Sequence, residues 1–133
     1  MGHIPDDAPA GGSKLSRGLV AILPCNDLDA SERFYNRLGF ARSGDGTLAS
    51  DDYRMLSNDR GGQLHLPKAI EGWLALDRNP FGLYLYVEDV DALGREFQKQ
   101  PENKPWGMHE FAISDPDQTL IRVGWPIRLR GPL

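Results

Sequence analysis

Residues 19–30, LVAILPCNDLDA, recur 62 residues later as residues 81–92, FGLYLYVEDVDA. Each copy is an apolar strand that leads into an Asp-apolar-Asp-Ala sequence typical of a helix start, and a stretch with helical periodicity follows each copy. A strand-and-helix unit of this size cannot bury its apolar face alone, so the two copies are expected to pack or pair around a shared surface. The duplication therefore predicts a pseudo-symmetric cleft and makes equivalent positions of the two halves comparable.

The composition is that of a globular protein of 133 residues, with a formal net charge of -4. This charge disfavours nucleic-acid binding, which needs a clustered basic face. No apolar run approaches the roughly 18 residues of a membrane span, and the single Cys25 cannot form an internal disulfide. Residues 1–16 resemble a flexible leader without a secretion signal. We therefore expect one domain over residues 17–128 in a cytoplasmic protein with neither nucleic-acid nor membrane partners.

The first half, residues 17–72, predicts one helix among short strands. Asp29 is the expected N-cap of this helix, because Glu32 stands three positions later and completes a capping box. Apolar residues at helical spacing mark the buried face of the helix, and Gly39 ends it. The predicted segments are a strand at Leu19–Leu23, a helix face of Ala30, Phe34 and Leu38, a turn region at Gly44–Asp52, and a hairpin of Tyr53–Ser57 and Gln63–Leu66.

The second half, residues 80–128, repeats this plan after an irregular linker at residues 67–80. Asp89 or Asp91 is expected to cap its helix. A polar connector, Gln98–Pro105, then leads to a hairpin around the turn sequence Asp-Pro-Asp-Gln, in which Pro occupies the second turn position. The predicted segments are a strand at Leu83–Val87, a helix face of Val90, Leu93 and Phe97, and the hairpin strands His109–Ser114 and Thr119–Trp125. Each half is therefore βαβββ or close to it.

Side chains alternate between the two faces of a strand, and the two faces of the predicted sheet differ in composition. In the second half, Leu83, Leu85 and Val87 share an aliphatic face that is expected to pack beneath the helices. Tyr84 and Tyr86 share the opposite face, where the hairpin strands add polar and small residues. Such a face is typical of a concave ligand-binding surface, and plain exposure to solvent is the alternative. Two tyrosines in one strand favour the binding surface.

Four passages of the sequence resemble the vicinal-oxygen-chelate superfamily, which includes glyoxalase I, extradiol dioxygenases, and fosfomycin- and bleomycin-resistance proteins. They are LPCNDLDASERFYNRLGF at residues 23–40, LYLYVEDVD at 83–91, PWGMHEF at 105–111 and ISDPD at 113–117. The last two are most similar to the bleomycin-resistance branch. The resemblance implies an α+β fold in which tandem βαβββ modules form a cupped mixed sheet, with helices on the outer face and dimerisation completing the structure.

The resemblance also bears on metal binding, because the enzymes of this superfamily take their metal ligands from the first and last strand of each module. The repeat places those four slots at Val20, His65 (or its neighbour Leu64), Gly82 and Arg122. Val and Gly offer no ligating side chain, Arg is a cation, and one His does not make a metal site. The mapping therefore predicts neither a metal nor another cofactor and disfavours catalysis. The planar guanidinium group of Arg122 is suited to bind an anionic group of a ligand or the carboxylate of a nearby Glu.

By this resemblance, the protein would be a homodimer that binds, and so sequesters, a bulky aromatic or cationic compound without a metal. A metal-dependent lyase or oxygenase of the same superfamily is the alternative. A dimer without a ligand and metal-free catalysis by His65 also stay open. The connector Gln98–Lys104 is shorter than in bleomycin binders, so a shallower crevice is expected.

No catalytic residue is assigned, and the predicted ligand contacts come from the mixed face and from the turn before the last hairpin. The tyrosines would stack on flat rings. Trp106 would either stack on a ligand ring or cover an apolar edge between the modules. The predicted ligand-binding residues are Gln63, His65, Tyr84, Tyr86, Trp106, Glu110 and Arg122.

Overall fold

The computed structural model describes residues 18–42 and 52–131. The chain divides into two compact units, one that ends at Trp73 and one that begins at Leu74. Each unit folds as βαβββ, which confirms the predicted repeat and the α+β fold class. The predicted leader at residues 1–16 and nearly all of the predicted turn region Gly44–Asp52 lie outside the described residues. The single domain over residues 17–128 stays a prediction.

The first unit is a four-stranded mixed sheet with one helix. Its elements are β1 (Val20–Ile22), α1 (Leu28–Arg37), β2 (Ala41–Arg42), β3 (Tyr53–Ser57) and β4 (Gln63–Pro67). The strand order is β1-β4-β3-β2, in which β1 runs parallel to β4 and the other pairs are antiparallel. Leu56, Leu64 and Leu66 alternate with half-buried and exposed neighbours and form the buried side of this sheet. The predicted hairpin of β3 and β4 is therefore confirmed.

Helix α1 begins two residues earlier than the predicted cap implied. Asp27 is the N-cap, since its backbone is extended and its carboxylate accepts a hydrogen bond of 3.1 Å from the backbone amide three residues later. The prediction that Asp29 caps the helix was wrong. Glu32, which was expected to complete a capping box, instead accepts hydrogen bonds from two arginines of β2 and β3.

The buried face of α1 also differs in part from the predicted one. Ser31 and Tyr35 are fully buried, whereas Ala30 and Phe34 are only partly buried. Leu38 is buried as predicted, and it lies at the C-terminal cap of the helix. Hydrophobicity alone selected Phe34, but the stripe that faces the sheet runs through the neighbouring tyrosine and a small serine one turn before it.

The second unit repeats the arrangement. Its strands and helix are β5 (Gly82–Tyr86), α2 (Val90–Glu96), β6 (Glu102–Asn103), β7 (Met108–Ser114) and β8 (Leu120–Pro126), with short 3₁₀ helices at Leu76–Arg78 and Ile127–Leu129. The order β5-β8-β7-β6, with β5 parallel to β8, matches that of the first sheet. Val90 and Gly94 are the buried residues of α2, while Leu93 and Phe97 of the predicted face are only partly buried.

Two details of the second unit settle or correct the sequence prediction. Asp89 caps α2, because its carboxylate accepts a hydrogen bond of 3.0 Å from the Ala92 amide. Asp91 instead lies inside the helix. The polar connector Gln98–Pro105 was predicted without structure, but it contains β6, in which Asn103 pairs with His109 of β7. Two residues of strand are too short to leave a period in the sequence. None of the helices within residues 18–42 and 52–131 is long and apolar enough to cross a membrane.

Candidate functional site

One face of the second sheet lies away from helix α2. His109 of β7 contacts Asp91 of α2, with 2.8 Å between Nε2 and Oδ1, so His109 points to the helix side. The next residue, Glu110, therefore points to the open face. Five of the seven predicted site residues meet there through hydrogen bonds and ring contacts. We call them the Glu110 cluster: Tyr84, Tyr86, Trp106, Glu110 and Arg122.

The carboxylate at the centre of the cluster accepts three hydrogen bonds. The Tyr84 hydroxyl donates to Glu110 Oε1 at 2.8 Å, and the Trp106 indole N–H donates to the same oxygen at 3.0 Å. Arg122 Nη1 donates to Oε2 at 3.3 Å. The Glu110 side chain is only 2% exposed, so these donors replace the water that a buried carboxylate loses. The hydrogen bonds that satisfy the Glu110 carboxylate therefore all come from residues of the second unit.

The same contacts set the protonation of both acidic groups. Burial is the largest influence on Glu110 and favours its neutral form, but the hydrogen bonds from Trp106 and Tyr84 and the charge of Arg122 together outweigh it. The pKa of Glu110 is therefore lowered, and the group is a carboxylate at neutral pH. Burial and the bond to this carboxylate raise the pKa of the Tyr84 hydroxyl, which stays protonated and keeps its role as a donor.

Tyr84 reaches Glu110 by crossing the strand between them, since β8 lies between β5 and β7. Its hydroxyl passes directly over Gly124. A Cβ atom at position 124 would overlap that hydroxyl oxygen and lie 2.8 Å from the Cβ of Glu110. A residue without a side chain is required here, because only glycine leaves room for another group to approach the backbone. Gly124 was not among the predicted site residues, and only the strand register reveals its part.

The aromatic rings form the outer layer of the cluster. Tyr86 is 63% and Trp106 is 58% exposed. Tyr84 and Tyr86 lie with ring centroids 5.2 Å apart, and the Arg122 guanidinium lies 5.8 Å from the centroid of the Trp106 ring. Trp125, which the sequence analysis missed, packs edge-on against Tyr86 at 6.4 Å. Its signal was its place at the end of the predicted last strand, next to Gly124, which pairs with Tyr86.

The other two predicted site residues, Gln63 and His65, belong to the first unit. Both lie half-buried on β4, and the Tyr53 hydroxyl lies 2.8 Å from His65 Nδ1. Tyr53 was missed because its partner is 12 positions away along the chain. The parallel registers place His65 opposite Ile22 and Arg122 opposite Tyr84, which confirms that His65 and Arg122 are equivalent positions of the repeat.

The comparisons with known proteins agree with this architecture. The family model described as the Glyoxalase/Bleomycin resistance protein/Dioxygenase superfamily matches residues 18–123. The chain belongs to this superfamily. Among curated proteins, the comparison found no match.

Solved structures of bleomycin-binding and bleomycin-resistance proteins share the fold. A bleomycin-binding protein complexed with bleomycin aligns with a TM-score of 0.68 at 22% identity, covering 83% of this chain and 98% of that one. A bleomycin resistance determinant encoded on transposon Tn5 gives 0.68 and 22%, with 84% and 98% covered. A bleomycin-binding protein from Streptomyces verticillus, complexed with copper(II)-bleomycin, gives 0.61 and 21%, with 81% and 94% covered. At these identities the likeness shows the fold.

The residues at the superfamily's metal positions do not fit a metal ion. Val20 and Gly82 carry no donor atom in their side chains, and Arg122 is a cation bound to Glu110. Within the part of the chain that the structure describes, there is no group of three or more His, Cys, Asp or Glu side chains that could hold a metal. Catalytic metal sites need about three protein ligands. The Glu110 cluster instead offers exposed aromatic rings and the donors of a guanidinium group.

Proposed function

We propose that this chain is a metal-free binding protein of its superfamily that sequesters a bulky aromatic compound. The observation that carries the proposal is the outer layer of the Glu110 cluster, where Tyr86 and Trp106 are 63% and 58% exposed on one sheet face. Exposed aromatic rings that lie together on one face favour a contact surface, whereas a single exposed ring does not, because a contiguous apolar patch is what a ligand can bury.

The aromatic rings are held in place before any ligand arrives. The indole N–H of Trp106 and the hydroxyl of Tyr84 both bind the same buried oxygen of Glu110. Tyr86 packs between two rings, those of Tyr84 and Trp125. A ligand that stacks here has fewer side-chain rotamers to immobilise, which costs about 0.5–1.5 kcal/mol each in a flexible site. Preorganisation of this kind supports binding more than it supports a structural role.

Bleomycin is the first ligand to test, because proteins of the same fold have been solved in complex with bleomycin and with copper(II)-bleomycin. The shallower crevice expected from the short connector Gln98–Lys104 leads us to include smaller flat compounds as well. The metal-dependent lyase or oxygenase is tested in parallel, by elemental analysis of protein purified without chelator. Near-stoichiometric Zn, Ni, Mn or Fe would overturn the metal-free proposal.

The experiment is a thermal-shift and tryptophan-fluorescence screen with bleomycin and flat aromatic compounds. We expect at least one compound to raise Tm and to quench the fluorescence with a saturable dependence on concentration. Trp106→Ala should abolish the effect, while Trp73→Ala, which removes a similarly exposed ring (61%) from the first unit, should not. No binding by any compound, or equal loss in both variants, would refute the proposal.

The homodimer and the cytoplasmic location stay predictions. Sedimentation analysis across a range of protein concentrations tests the first: we expect twice the monomer mass of 14.8 kDa. A constant monomer mass would contradict it. Fractionation of the source cells tests the second.

A further inference from the structure

The charge that the Glu110 cluster presents to solvent is positive. The carboxylate of Glu110 is 2% exposed, while the Arg122 side chain is 43% exposed. Both carboxylate oxygens already accept hydrogen bonds from within the unit. A cationic ligand would have to displace those donors to reach the acid, whereas an anion can approach the guanidinium directly. This arrangement favours an acidic group over a basic one.

The guanidinium is only partly committed to its internal partner. Arg122 contacts Glu110 through one nitrogen at 3.3 Å, which is long for a bond between charged groups. Elsewhere in the chain, Arg42 grips Glu32 with two nitrogens, at 2.7 and 2.9 Å. Since a guanidinium carries five N–H donors, several donors of Arg122 are left over for a ligand. A carboxylate or sulfonate matches their planar fork.

The position of the guanidinium also matches an aromatic ligand with its acid at the edge. The Arg122 guanidinium lies over the face of the Trp106 ring, 5.8 Å from its centroid, and the two tyrosine rings continue the same face of the sheet. A flat ligand ring that stacks on the aromatic layer would therefore place its substituents next to the guanidinium of Arg122. The net charge of -4 opposes anions only weakly at this point, because salt screens charges beyond about 8 Å.

We propose that the Glu110 cluster selects flat aromatic acids, with the ring on Tyr86 and Trp106 and the acidic group on the fork of Arg122. This inference rests on the proposed binding function. It replaces the cationic ligand considered from the sequence with an anionic one. Glu110 acts as a positioning residue: it fixes the donors of Tyr84 and Trp106 and leaves the exposed part of Arg122 to the ligand.

The test compares three probes that share one ring system: naphthoate, naphthamide and naphthylmethylammonium. Their dissociation constants are measured by fluorescence titration at low and high salt. We expect naphthoate to bind at least about tenfold more tightly than naphthamide, since hydrogen bonds between charged groups are stronger than those to a neutral amide. The preference should shrink as salt rises, and the ammonium compound should bind most weakly.

Variants separate the charge of Arg122 from general effects. Arg122→Gln should remove the preference for naphthoate while the affinity for naphthamide changes less than about threefold, and Arg122→Lys should retain part of it. Arg95→Gln removes an exposed charge from α2, on the other side of the sheet, and should change nothing. The Tm of each variant reports its folding, because the first two substitutions change the donor that Glu110 receives from position 122.

The outcomes distinguish this inference from the function on which it rests. Binding of naphthamide with no preference for the acid, or a preference for the ammonium compound, would overturn the inference and leave the binding function standing. Failure of bleomycin and all three probes would overturn both. A preference for naphthoate that survives Arg122→Gln would show that a group other than Arg122 binds the carboxylate. That result would also contradict the role assigned to Arg122.

Discussion

Replacing Glu110 by glutamine keeps the shape of the side chain and removes its charge. One amide oxygen can still accept from Tyr84 and Trp106, which both donate to Oε1. The amide nitrogen must then face Arg122 Nη1 across the present 3.3 Å, donor against donor. A bond between charged groups contributes about 1.5–3 kcal/mol, and the exposure of Arg122 at 43% reduces that value. We expect a loss of about 1.5 kcal/mol in the free energy of unfolding at pH 7.

The loss should depend on pH in a defined direction. The pKa of Glu110 is lower in the folded protein than its usual value of 4.5, so the unfolded chain binds this proton more readily. The charge therefore stabilises the folded state fully above about pH 4.5, and this contribution is lost as the pH falls through the folded pKa. Urea unfolding of both proteins at a series of pH values should show the largest difference near neutrality, and the difference should shrink in acid.

Glu102→Gln is the matched control for this measurement. Glu102 pairs with Lys104 at 2.9 Å, but its side chain is 67% exposed. Exposed pairs contribute about 0–1 kcal/mol, so this change should be nearly neutral. The reasoning about Glu110 fails if both variants lose the same stability, or if the loss in Glu110→Gln is as large in acid as at pH 7.

Five further substitutions, two of which are controls, test the geometry of the fold. Gly124→Ala should lower the free energy of unfolding by about 1–3 kcal/mol and weaken ligand binding, because the new Cβ overlaps the tyrosine hydroxyl that crosses β8. Gly82→Ala is its control and should be tolerated, since a Cβ there has no neighbour closer than 3.5 Å. Equal losses in the two variants would contradict the argument. Asp27→Ala and Asp89→Ala should each cost about 1 kcal/mol in thermal or urea unfolding as lost helix caps. Asp29→Ala, which removes an exposed ion-pair partner, should cost less, and the reverse order would restore the cap predicted from the sequence.

The sequence predicts the repeated architecture well because periodicity and duplication are local signals. It fails where two local rules compete, as at the start of α1. Asp27 and Asp29 both suit a cap, and the apparent capping box selects Asp29. Arginines on β2 and β3 attract Glu32 away from that role, with a 2.6 Å bond from Arg54. Contacts between strands that are distant in the sequence decide which aspartate caps the helix. Such contacts depend on the strand register, which cannot be deduced from a single sequence.

The candidate site shows the same division between local and distant information. Alternation along the strands was enough to place Tyr84 and Arg122 on the mixed face, and the structure joins both to Glu110. The role of Gly124 depends on a side chain crossing from β5, so it follows only from the order β5-β8-β7. Trp125 was missed for a similar reason, since its contact with Tyr86 joins two neighbouring strands that are far apart in the sequence.

The two copies of the module share one contact and differ in its chemistry. In each, a side chain on the third strand reaches one on the fourth strand 12 positions later: Tyr53 meets His65, and Glu110 meets Arg122. A buried carboxylate must be satisfied by several donors, and in the second copy it draws in the groups of Tyr84 and Trp106. A phenol paired with an imidazole makes no such demand. The acidic residue at this one position of the repeat therefore explains why Tyr84 and Trp106 converge on one group in the second unit.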